Sequence, residues 1–525
     1  MRCLLLFFAI LFAATAHGAT RYVNPAHSNS GDSGAGASTA PYKTISFAMK
    51  QLVSGDRLII ASGTYRETLS FKYQAQNVVV EGSAGTLVKG SDVVTGWESA
   101  GGGRFVRRNW TVNTQQVFVN GVQMKQIGGT VAAGYQWPGR FSGSASSMTP
   151  ESFYYDAGSR SLYVKPASGS LSGKTVEASV RQRLAIGTGL GNVQLRNISF
   201  MHSNTSATTR GAAVALTGSR VTVDRVSVIR ADATGIAIRG NDNIVQNSIA
   251  NYCGQLGMAG SGRNMRFIGN ETSYNNTRGF NQYWEAAGMK LIGDGGIHDS
   301  EVRNHKALYN AGDGIWFDGG NNTNNKIRES VSAYNSGNGI HYEISSTAHI
   351  YNNLVFGNKL RGIYLANGSN SLVAHNLVVQ SGQENISSAN DRRVPPSSSW
   401  APRNNKIIGN ISAWGSNDIL RLAEKQFANI SNGNLFADNA TPVYAQETSQ
   451  FANRATGLKN WQGLSGQDKN SWEKVIAMSS TISSALNARQ ANVNWSSLKS
   501  LASQYRSPPT PLDGGLPPGP LNGMW

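Results

Sequence analysis

The residues able to do chemistry fall at matching places in four neighbouring repeats: Lys290, Trp316 with Asp318, His341 with Glu343, and Tyr364. Each repeat opens on a glycine followed by alternating apolar positions: GMKLI from Gly288, GIWFD from Gly314, GIHYE from Gly339 and GIYLA from Gly362. Successive side chains of a strand point to opposite faces. If the two apolar residues face a core, the residue between them faces out. Stacked strands lie about 4.8 Å apart, so the outward residues form a strip roughly 15 Å long. Trp and Tyr offer flat apolar faces to sugar rings. Lys and His supply cations for the carboxylate of an acidic sugar. Asp318 and Glu343 suit an acid/base pair, or a hard cation that takes oxygen ligands, such as calcium. Each residue also has a plainer reading. An outward Lys is ordinarily solvated, His341 suits a hydrogen-bonded surface histidine, and Asp318 in WFDGG suits a turn cap. Their alignment on adjacent repeats is what singles them out.

The elements that must position them come from the same repeat. It also occurs as GIAIR from Gly235 and GMAGS from Gly257, and a further glycine stands at 279. The intervals between these glycines are 22, 22, 9, 26, 25 and 23 residues. A period of 22 to 26 accommodates three short strands and three turns. Two inward columns follow: Ile236, Met258, Met289, Ile315, Ile340, Ile363, and Ile238, Gly260, Leu291, Phe317, Tyr342, Leu365. The first outward column is Ala237, Ala259, Lys290, Trp316, His341, Tyr364. The second is Arg239, Ser261, Ile292, Asp318, Glu343, Ala366. Arg239 joins the strip as a candidate substrate contact. The irregular nine-residue step contains FNQYWEAA; an insertion in a solenoid maps to a loop on one face, often the binding face. Trp284 of that loop is a second candidate contact. Asn270, Asn304, Asn353 and Asn376 sit at similar points and suggest a ladder of stacked amides. The Leu and Asn spacing of a leucine-rich repeat is absent, and the β-branched, period-two cores exclude helical repeats. The expected fold is all-β: a right-handed parallel β-helix.

The chain has 525 residues, with 59 glycines and a formal net charge of +17. A charge of that size attracts polyanions. Nucleic acid, anionic lipid and acidic polysaccharide are all polyanions; the absence of a Lys/Arg block argues against a nucleic-acid tail, and together with the outward strip the charge makes an acidic polysaccharide the expected partner. Met1-Arg2, the apolar run Leu4–Ala14 and the small residues before Ala19 read as a secretory signal peptide. A secreted or periplasmic monomer with no membrane span is expected. Removing the leader would take Cys3 and leave only Cys253, which reads as a small buried hydrophobe.

Residues 22–67 contain YV…PYKTI…A…GD…I…GTYRE, with one amphipathic helix placing Ile45, Ala48, Met49 and Leu52 on a face. This pattern resembles the N-terminal cap of secreted right-handed parallel β-helix proteins, many of which are polysaccharide lyases of the pectate and alginate lyase type. A small antiparallel β insertion follows, with VFVNG, FYYD…LYV and an AGSRS hairpin turn. Similar inserts occur in secreted β-helix enzymes acting on carbohydrates. Expected boundaries are 1–18 for the signal peptide, 19–100 for the cap and first rungs, 101–185 for the insertion, 186–440 for the main β-helix and 441–525 for a C-terminal cap and tail. A long polar loop with Arg392 and Arg393 interrupts the last rungs. The resemblance implies β-elimination on a uronate polymer. That chemistry needs a neutralised carboxylate, a base for the α-proton and an acid for the leaving oxygen. Lys290 is the expected base, as in such lyases, and His341 or Tyr364 the acid. Asp318 and Glu343 are candidate calcium ligands or orient Lys290. The alternatives are a glycoside hydrolase using Asp318 and Glu343, and a non-catalytic polysaccharide-binding surface protein.

Overall fold

A computed structural model describes residues 18–129, 142–206, 211–293, 295–391, 395, 397–512, 514–521 and 523–525. Residues 1–17 of the expected leader and Arg392 and Arg393 lie outside the described residues. The chain coils as a right-handed parallel β-helix with three faces. One face is a 13-stranded sheet and a second is a 14-stranded sheet. The third face runs in two stretches, of five and seven strands. The second face carries the strip. Its central strands are β1 (Thr234–Arg239), β2 (Leu256–Arg263), β3 (Ala287–Leu291), β4 (Asp313–Phe317), β5 (Ile340–Glu343) and β6 (Ile363–Ala366).

The strand register matches both inward columns. Ile236 pairs with Met258, Met258 with Met289, Met289 with Ile315, Ile315 with Ile340 and Ile340 with Ile363. All of these are buried in one continuous core. Gly288, not Gly279, therefore opens the strand before Lys290. Gly279 lies in the inserted loop with a left-handed φ of 70°. Bonds from a backbone N–H to the asparagine side-chain oxygen of the next rung join residues 22, 35, 25 and 23 apart, from Cys253 through Asn275, Asn310 and Asn335 to Asn358. The 35-residue rung is the one that carries the loop.

Amide ladders hold the turns. Asn353, Asn376, Asn410 and Asn434 each accept the backbone N–H of the rung before and donate back to a carbonyl. Asn270 occupies the equivalent place. Asn304 does not: its neighbour His305 fills that rung, donating its backbone N–H to Ser330. Asn304 instead takes a left-handed turn position with φ 50°, a conformation Asn tolerates well. Burial pushes the His305 pKa down to about 3, so it serves as a neutral ladder member. Cys253 is fully buried, and burial pushes its thiol up to about 12.

At the N-terminal end, helix α1 (Ile45–Gln51) begins where the Thr44 hydroxyl accepts the Phe47 N–H. Ile45, Ala48 and Met49 are buried, as is Leu52 just beyond, and the helix packs on the strands Thr20–Val23 and Leu69–Ser70. Antiparallel pairing occurs between Ser91 and Ser179, including the Ser152–Asp156/Ser161–Lys165 hairpin, around a separate apolar cluster. The far end combines a strand with short helices. Trp472–Val475 adds a strand to the third face, and helix α2 (Ser480–Asn487) follows. Among the described residues no helix is long and apolar enough to cross a membrane.

Candidate active site

The outward column is in register: Ala259 pairs with Lys290, Lys290 with Trp316, Trp316 with His341 and His341 with Tyr364. Trp316 and His341 stack with ring centroids 5.2 Å apart, and His341 and Tyr364 stack at 4.9 Å. The expected direction holds, but the expected exposure does not. Lys290 is only 1% exposed, and Trp316, His341, Glu343 and Tyr364 are all buried. The physical reason is local. The inserted loop folds down over the strip, and the Lys290 Nζ donates to the Trp284 carbonyl at 2.8 Å. The same Nζ lies 2.8 Å from Asp318 Oδ2 and 3.4 Å from the centre of the Trp316 ring. Three partners hold Lys290 in place, so it is not presented as a solvated base.

The histidine is the centre of the site. His341 Nδ1 lies 2.7 Å from Asp313 Oδ2, and its Nε2 lies 3.8 Å from Glu343 Oε2. Asn338 donates to Asp313 and fixes that carboxylate. Trp316 Nε1 donates to Glu343 Oε2 at 2.8 Å. Burial works to lower the His341 pKa, but Glu343, the hydrogen bond to Asp313 and the charge of Asp318 outweigh it, and the pKa is raised. Burial likewise works to raise the Asp318 pKa, and Lys290 reverses it to a net lowering. The Tyr364 hydroxyl is pushed up to about 12 by burial, against the opposing charge of Arg361. The Arg361 guanidinium stands 4.3 Å from the centre of the Tyr364 ring and pairs with Glu384. Arg421 joins Glu384 to Glu447 one rung further on.

Asp313, Asn338 and Arg361 are site residues that period-two reading misses. Each stands immediately before a landmark glycine: Gly314, Gly339 or Gly362. A Cβ added at Gly314 would lie 2.1 Å from the Ser332 Oγ, inside the barrel. The glycine thus faces the core next to inward Ile315, which breaks the alternation and turns Asp313 outward. Aligning the residue before each glycine was the signal that could have found this third column.

Two candidates stand apart. Arg239 is exposed at the end of β1, two strands before β3, so about 10 Å separates their rungs. Trp284 contributes its backbone carbonyl to Lys290. The two candidate calcium ligands are engaged otherwise, Asp318 by Lys290 and Glu343 by Trp316. Among the described residues no cluster of three or more His, Cys, Asp or Glu gathers for a metal. Two carboxylates already engaged by a cation and an indole do not make the six- to eight-oxygen shell calcium takes.

The insertion meets the loop beside the site. Arg278, at the loop's start, donates to Gln115 and Gln126 of the insertion and lies 3.3 Å from Asp232. Burial raises the Asp232 pKa to about 6, with Arg278 opposing. Phe118 stacks on His202 at 3.6 Å, which fixes the insertion against the barrel.

The fold defines a right-handed parallel β-helix protein, and comparison with known proteins agrees. A family model for a right-handed β-helix region matches residues 211–378. A solved structure described as the complex of XylC with xylose is similar with a TM-score of 0.54 and 12% identity, covering 87% of this chain and 86% of that one. A glycoside hydrolase structure gives a TM-score of 0.44 and 11% identity, with 91% and 99% covered. The pectate lyase Pel9A gives 0.39 and 15% identity, with 77% and 78% covered. At these identities the likeness is one of fold. No curated protein matches the sequence significantly.

Proposed function

We propose that this chain is a secreted carbohydrate-active enzyme whose site is the outer face of β3 to β6, and that it cleaves an acidic polysaccharide by β-elimination. One observation carries the reading: the buried Trp316–His341–Tyr364 column, with His341 held between Asp313 and Glu343. Burying charged groups on a sheet's outer face costs stability unless they are paired. An apolar column would pack there more cheaply, so the expense fits a functional role. A histidine whose pKa is raised by neighbouring carboxylates suits neutralisation of a uronate carboxylate, which acidifies the α-proton. Glu343 is the carboxylate nearest the His341 Nε2 and is assigned to take that proton. Tyr364, kept as its neutral phenol, is assigned to protonate the leaving oxygen. Lys290 is a positioning residue that holds Asp318 and the Trp316 ring. The loop over Lys290 must move for substrate to enter.

A second reading rests on charge. Lys290 and Arg361 are each paired with a carboxylate, which leaves little free positive charge for a uronate and suits a glycoside hydrolase on a neutral glycan. One assay separates these readings. Purified protein is incubated with uronate polymers and with neutral xylan, following both unsaturated-product absorbance and new reducing ends. Absorbance on a uronate polymer, lost in His341→Ala, supports elimination. Reducing ends without absorbance make the chain a hydrolase. Neither signal on any polymer rejects both and leaves a binding protein.

A further inference from the structure

A second groove runs along the turns that lead into the second face. It encloses about 580 Å³ between the Tyr309 and Tyr334 turns and the end of α2. Two exposed cations line it, Lys359 from the barrel and Arg489 from beyond the helix. Among the described residues lining it, none is acidic. Ser336, Gln380, Ser416 and Asn487 add hydroxyl and amide groups. The floor climbs one rung at a time. Ala311, Ser336, Lys359, Gly382 and Ser416 each donate a backbone N–H to the rung before. Five rungs at strand spacing span roughly 20 Å.

We propose that this groove binds an acidic oligosaccharide, as a subsite next to the catalytic face; the proposal rests on the carbohydrate reading above and names its substrate class. Three features favour that ligand. The lining joins positive charge to many hydrogen-bonding groups, which matches a polymer rich in hydroxyls with a sparse negative charge. A nucleic-acid strand carries one charge per 3.4 Å or so and binds through dense basic contacts; two cations in roughly 20 Å are too few for it. The groove also leads to the site. Ser336 and Lys359 lie two residues before Asn338 and Arg361 in the turns that enter β5 and β6, at most about 7 Å away along the chain. Ser336 donates to Gln282 in the loop that covers Lys290, so a chain seated in the groove touches that loop.

The test is binding of labelled galacturonate and mannuronate oligomers to the full protein, with a xylo-oligosaccharide and a single-stranded oligonucleotide as competitors. Lys359→Ala/Arg489→Ala, both at exposed side chains, is compared with Lys359→Glu/Arg489→Glu, and melting temperature checks folding. Binding of at least one uronate oligomer, weakened about tenfold by the Ala pair and further by charge reversal and by salt, is expected. Undiminished uronate binding in both variants overturns the subsite while leaving the catalytic reading intact. Preference for the oligonucleotide also overturns the subsite; preference for the neutral sugar, or no uronate binding by the wild type, overturns the subsite and counts against β-elimination as well. Loss of binding in the variants without cleavage of any polymer by the wild type sustains the subsite and rejects the catalytic reading.

Discussion

Tyr252, Tyr274, Tyr309 and Tyr334 stack ring on ring at 4.9, 4.9 and 5.3 Å. Trp316, His341 and Tyr364 stack at 5.2 and 4.9 Å on the next face. The spacing is the same because both stacks inherit it from the rungs. Everything around the rings differs. The tyrosines occupy left-handed turn positions with φ of 57 to 59°. The hydroxyls of Tyr309 and Tyr334 donate to the carbonyls of Arg489 and Gln490. Tyr252 and Tyr274 remain 39% and 40% exposed. This stack ties the C-terminal segment to the barrel. The second stack is buried and holds Asp313, Asp318, Glu343 and Lys290 within reach of its rings. Stacking is thus a by-product of the repeat, and the charged neighbours mark the chemistry.

The comparison breaks if substitutions in the two stacks behave alike. His341→Ala should lower the rate of polymer cleavage about a thousandfold with little change in circular dichroism; equal loss in Tyr274→Ala would make both stacks structural. Phe317→Ala removes a fully buried ring of the inward column and should cost about 4 kcal/mol, read as a lower melting temperature.

Asp313→Asn should cost about a hundredfold in rate and change the pH profile. The sign follows from the raised His341 pKa. The stability that Glu343 and the hydrogen bond to Asp313 together contribute is full below the ordinary histidine value and is lost as pH rises through the raised one. The wild type should therefore lose melting temperature across that window, and Asp313→Asn should flatten the slope. A wild-type slope that survives the substitution would remove Asp313 as the cause.

Asn376→Ala strips partners from the Asn353 N–H and the Ile350 carbonyl and should cost about 2 kcal/mol. Tyr274→Ala should cost about 1 kcal/mol or less and leave the rate unchanged.

The inward columns were legible because a two-residue alternation recurs at every rung, and Met289, Ile315, Ile340 and Ile363 obey it. Lys290, Trp316, His341 and Tyr364 were legible as outward for the same reason. Asp313 was not, because core-facing Gly314 interrupts the alternation. Asn304 was misassigned because His305 takes an amide's place in the ladder, and a local pattern cannot distinguish neighbours one residue apart at a turn.

The sequence by itself determined the rung, the core and the direction of each strand side chain, since these depend on contacts repeated along one axis. Only the tertiary structure decided that the strip is covered, that Lys290 is locked between Asp318 and the Trp284 carbonyl, and that Asp313 reaches His341. The first two outcomes hang on a loop that does not repeat, and the third on the inward turn at Gly314. The loop's path is set by contacts distant in sequence, Arg278 to Gln115 and Ser336 to Gln282, and no periodicity encodes them.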